Sequence, residues 1–148
     1  MYPGWLYKTD TSSDEITLHM FAYGIFHDLG CDTDDERARV VRLVRDTVSY
    51  IMNNNYTLID PTTGKHTTWG MWNPLELNGD HAWMEERGLN SMQMMSWLSL
   101  AYRLTNDPQY LNAYNTLAPD YIYDINTDME LISAPVVGAH IQRVRCCC

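Results

Sequence analysis

The sequence predicts an all-α fold built from two αα-hairpins in tandem. Three observations carry this. Two segments, about residues 13–29 and 87–105, place apolar side chains on every side of a helix, which marks a rod surrounded by protein. Each is followed by a segment with one apolar face, about 34–54 and 108–124, which marks an outer helix. Helix-start signals stand at Ser12, Thr33 and Asp107. An inner helix shielded by an outer one, repeated once, is an αα-hairpin array.

Residues Met1 to Asp10 read as an extended lead-in, broken by Pro3-Gly4. Ser12 and Glu15 form an S-x-x-E capping box, so the first helix starts near Ser13. Ile16, Leu18, Met20, Phe21, Ala22, Tyr23, Ile25, Phe26 and Leu29 then wrap its whole circumference, and Gly30 is a C-cap residue. Glu15, His19 and Tyr23 lie four apart and stack on one face. Titratable groups on a buried helix need partners or a water-filled pocket, so this helix points to a site. Cys31 to Glu36 faintly resembles a calcium loop but lacks its central glycine and distal glutamate. Thr33 to Glu36 reads better as a second capping box, with Asp34 and Asp35 favoured by the helix dipole.

The second helix carries Val41, Val44, Val48 and Ile51 on one stripe, with Arg39, Arg42, Asp46, Ser49 and Asn53 largely opposite. Tyr56 to Arg87 is a long connection. Two β-prone runs flank Asp60-Pro61-Thr62-Thr63-Gly64-Lys65 and predict a short β-hairpin over about 56–69. The connection also holds Trp69, Trp72 and Trp83 with His66 and His81, and loops of this length in compact domains are usually functional. The third helix has Glu85, Glu86, Arg87 and Asn90 at its start, and its Met92 to Met95 cluster reads as core filler. Asp107-Pro108 starts the fourth; Tyr110, Leu111, Tyr114 and Leu117 form its apolar face, and Pro119 interrupts or ends it. Residues 1–128 thus read as one αα-hairpin domain and 129–148 as a poorly defined tail.

Consecutive inner helices of such an array run parallel, so their N-termini open on one face. That places Asp14, Glu15 and His19 beside Glu86, Arg87 and Asn90, with the tryptophan-rich loop between them.

Composition bounds the partners. With 148 residues and 45% apolar content the chain can bury a real core. A net charge of −9, with Lys8 and Lys65 the only lysines, argues against nucleic-acid binding. No apolar run approaches the roughly 20 residues of a membrane span, and no signal peptide is visible. Ten tyrosines and five tryptophans either fill a core or stack on sugar rings. Cys31 is isolated. Cys146, Cys147 and Cys148 match no metal-ligand spacing and read as an unstructured or artificial end. No cofactor or metal is expected.

The run Lys8 to Glu15, then His19 and Phe21-Ala22-Tyr23, resembles the inner-helix segment of (α/α) toroid proteins, the six-hairpin glycosidase-like proteins and related polysaccharide lyases. Thr57 to Asp60, Thr68-Trp69-Gly70 and Glu85 to Ser91 fit the same likeness, which spans about Trp5 to Tyr114. The resemblance implies a partial toroid of about two hairpins and a glycan at the mouth of the ring.

Two chemistries fit that mouth. Glycoside hydrolysis needs two carboxyl groups flanking the bond, which Asp14 and Glu86 can supply; capping, or pairing with Arg87, is the plain alternative for each. A lyase needs a base beside a uronate, for which His19 and Tyr23 are candidates, with Arg87 and Asn90 neutralising the carboxylate. Trp69, Trp72 and Trp83 either stack on sugars or pin the loop to the helices. His66 and His81 read as exposed loop residues, and no spacing supports a zinc site built from His19 and His81. The expected function is glycan binding, with possible cleavage as a glycoside hydrolase or polysaccharide lyase. The alternative is a non-catalytic helical-repeat module that forms a homo-oligomer through open hairpin edges.

Overall fold

The computed structural model describes residues 10–127. The lead-in before Asp10 and the tail from residue 129, including the terminal cysteines, lie outside the described residues. The protein is mostly helical, with one two-stranded antiparallel hairpin. Helix α1 spans Ser13–Ile25 and runs on into a π-helical turn, Phe26–Gly30; α2 spans Asp34–Asn53. Strands β1 (Thr57–Ile59) and β2 (His66–Met71) follow, then α3 (Pro74–Gly79) and a 3₁₀ turn, His81–Trp83. Helices α4 (Arg87–Thr105), α5 (Pro108–Asp120) and α6 (Tyr123–Thr127) follow among the described residues.

Local chemistry sets these limits. Both capping boxes form. The Glu15 N–H donates to Ser12 Oγ (3.4 Å), and Ser12 returns its own N–H to Glu15 Oε2 (3.1 Å). Thr33 and Glu36 make the same exchange at 3.2 and 3.0 Å. Asn73 accepts from the Leu75 and Glu76 N–H groups and Pro74 sits in the first turn, so the long connection contains a helix beyond its hairpin. Asn106 closes α4 in the left-handed conformation, a role asparagine tolerates. Pro119 is accommodated in the last turn of α5. The chain instead breaks at Ile122, whose φ of 53° is unusual for a β-branched residue. That break folds α6 back against α4.

Helix α4 is the central rod. It packs against α1, α2, α5 and α6 and is buried around most of its circumference, through Asn90, Ser91, Gln93, Met94, Trp97, Leu98 and Ala101 among others. On α2 the buried stripe is Val40, Val44, Val48 and Ile51, one residue off the expected start at Val41. Helix α1 departs further from expectation. Only Ser13 and Met20 are buried, and Leu18, Phe21 and Leu29 are 72%, 68% and 85% exposed. It is apolar all round, yet one flank has no protein against it among the described residues.

Helices α1 and α4 lie side by side and point the same way. Asp14 and Glu86 meet at their starts. Further along, a Cβ on Gly24 would sit 3.4 Å from Leu100 Cδ1. At the far end Arg103 Nη1 donates to Asp28 Oδ1 at 2.9 Å. Contacts that advance together along both chains require parallel axes.

Candidate functional site

The starts of α1 and α4, with β2 between them, enclose a pocket of about 330 Å³ lined by Ser12, Ser13, Asp14, Trp69 and Glu86. The capping box fixes the first turn of α1 and aims Asp14 outward. A clasp between distant residues holds the strand to that turn: the Asp10 carboxylate accepts from the Thr68 N–H and from Thr68 Oγ1, both at 2.8 Å. Gly70 lets β2 bend close to its neighbours, because a Cβ there would lie 2.4 Å from Thr67 Oγ1 and 2.6 Å from Leu58 Cβ. Trp69, the residue between, is 54% exposed and meets Trp83 edge to face at 6.2 Å. Trp69 thus stays more than half exposed where it lines the pocket.

Glu86 is half-buried at the head of α4. Burial first, then the carboxylates of Asp14 and Glu85, push its carboxyl above the usual carboxylate range. Asp14 is exposed on the opposite wall. Two carboxyl groups of unlike exposure thus line one pocket.

The other candidates lie elsewhere. Trp72 is fully buried: its Nε1–H donates to Gln93 Oε1 (2.8 Å), and its ring meets Trp97 edge-on at 5.0 Å. It pins the loop to α4 and cannot stack on a ligand arriving from solvent. Asn90 is 1% exposed and donates from Nδ2 to the Met71 carbonyl at 2.9 Å, so it ties β2 to α4 instead of lining the mouth. His19 and Tyr23 stack on one another at 6.1 Å along α1, with His19 exposed, and neither lines the pocket. Arg87 opens α4, half-buried, just beyond Glu86. His66 and His81 are exposed. Among the described residues no three metal-ligating side chains converge.

Sequence reasoning missed the Asp10–Thr68 clasp and the buried polar supports behind the loop. The Tyr123 hydroxyl donates to the Trp72 carbonyl, and Asn126 Nδ2 donates to Asn78 Oδ1 and Ser91 Oγ at 2.9 and 3.1 Å. Burial holds the Tyr123 phenol far above the ordinary tyrosine range, so it is a fixed donor. These pairs join residues 35 to 58 positions apart, a separation that no local pattern marks.

Comparison with family models, with curated proteins and with solved structures yields no match to this chain.

Proposed function

We propose that this chain is a segment of an (α/α) toroid of the carbohydrate-active kind, and that it binds a glycan at the mouth between Asp14, Trp69 and Glu86. One observation carries the proposal: two carboxyl groups and an exposed indole line the same pocket. The indole takes the apolar face of a sugar ring. Glu86, whose carboxyl is pushed above its usual range by burial and by the neighbouring carboxylates, serves as the acid toward the glycosidic oxygen. Asp14, exposed and facing it, serves as the base or nucleophile. The parallel pairing of α1 and α4, each followed by an amphipathic helix, supports the toroid reading. The carboxyl pair favours hydrolysis over elimination, because His19 stands outside the pocket.

The test is calorimetric titration of the full chain with neutral and uronate-containing oligosaccharides, alongside an assay for new reducing ends. Trp69→Ala is expected to weaken binding about tenfold, roughly 1.4 kcal/mol. Glu86→Gln should keep binding and abolish cleavage. If the unaltered chain binds no member of either set, or if Trp69→Ala binds as well as the parent, the proposal is wrong.

A further inference from the structure

The exposed flank of α1 is a second surface, distinct from the mouth. Phe21, Ile25 and Leu29 stand four apart and form one ridge along the helix. On one side lies a groove of about 500 Å³ between α1 and α4, floored by Met20, Gly24, Trp97 and Leu100. On the other lies a second groove of about 460 Å³, bordered by Ala22, Phe26 and Gly30. A ridge of this kind between two apolar grooves is shaped to receive another helix bearing the same ridge.

We propose that the occupant is a second copy of this chain, packed on α1 about a twofold axis. Area supports it. Leu18, Phe21, Ile25, Phe26 and Leu29 are between 45% and 85% exposed. Together they leave on the order of 600 Å² open, at the upper end of the patches that monomers expose and about three-quarters of the ~800 Å² that each partner gives a standard interface. Charge supports it too. Copies of a chain with net charge −9 repel one another over most approaches. Among the described residues the grooves are lined by two charged side chains, Asp28 and Arg103, and these neutralise each other at 2.9 Å. The apolar face is therefore also where two acidic copies approach with least repulsion. A twofold pairing presents the same patch from both sides, and each ridge enters a groove of the other copy. This inference does not use the glycan site, since the mouth lies at the first turn of α1 and the ridge runs from Phe21 to Leu29.

The experiment is sedimentation equilibrium of the full chain from about 0.1 to 100 µM, a span that covers the micromolar, weaker end of interfaces of this size. Twice the chain mass is expected at the upper end. Phe21→Asp and Leu29→Asp change exposed positions and should leave the circular dichroism spectrum intact, while weakening dimerisation about thirtyfold or more. Leu75→Asp, at an exposed leucine of α3, should leave the dimer unchanged. A unit-mass species at every concentration overturns the proposal. So does a dimer that survives both α1 variants. A monomer whose α1 amides are protected from hydrogen exchange also overturns it, because the flank is then covered by this chain's own residues.

Discussion

Trp69 and Trp72 stand three residues apart in one aromatic run, and the fold gives them opposite fates. The first faces solvent at the pocket; the second is sealed between Gln93 and Trp97. Nothing local separates them, because burial along β2 does not follow the two-residue alternation of a half-buried strand. Asn90 misled for a related reason. Helical spacing places it on a face of α4, but it does not say that β2 covers that face. The carboxyl groups were more legible, since Ser12 and Glu15 fix the start of α1 and leave Asp14 free to point outward. Glu86 carries a pH signature. Its folded-state pKa lies above its unfolded one, so below the unfolded value both states are protonated and nothing is lost. As pH rises through the folded value, the ionised group sits against burial and Asp14, and stability falls. Glu86→Gln should therefore raise the melting temperature at neutral pH, with the gain vanishing below the ordinary glutamate range. Thermal melts across that interval decide the point; a constant difference at every pH would refute it.

Among elements, the caps were the best-written part of the sequence. Thr33 and Glu36 read as a capping box and make one, with Glu36 Oε2 also accepting from the Asp32 N–H at 3.0 Å. Hydrogen bonds from Thr33 and then Asp32 hold that carboxylate below its usual range. Its stabilisation is thus present at neutral pH and is lost as pH falls through the lowered value. Thr33→Ala should cost about 1 kcal/mol in urea unfolding, the ordinary worth of such a cap. A change within error would mean that packing alone sets the start of α2. The circumference of α1 was readable as apolar, but its surroundings were not. Periodicity reports which side chains are greasy and is silent on whether anything lies against them. The turn at Ile122 was not readable either, since an isoleucine with positive φ is chosen by tertiary contacts and not by local preference.

At the scale of the molecule, α4 is the axis around which the other helices are set, and the long connection is fastened to it through Trp72. That residue fills space against Trp97, bonds Gln93 and offers its carbonyl to Tyr123. Trp72→Ala should cost about 3–5 kcal/mol, from the lost contacts and the cavity left behind. Equilibrium unfolding monitored by far-ultraviolet circular dichroism measures it, and a loss under about 1 kcal/mol would show that the loop is held elsewhere. The parallel relation of α1 and α4 was inferable from the order of inner and outer helices. The ties from loop to core were not, because they depend on which distant residues arrive together.

The Asp10–Thr68 clasp joins positions 58 apart and does so in the open. Solvent-exposed hydrogen bonds let go at a small fraction of the free energy needed to unfold a core. The amide of Thr68, held by that clasp, is therefore expected to exchange its hydrogen sooner than the amides of the buried α4 rod.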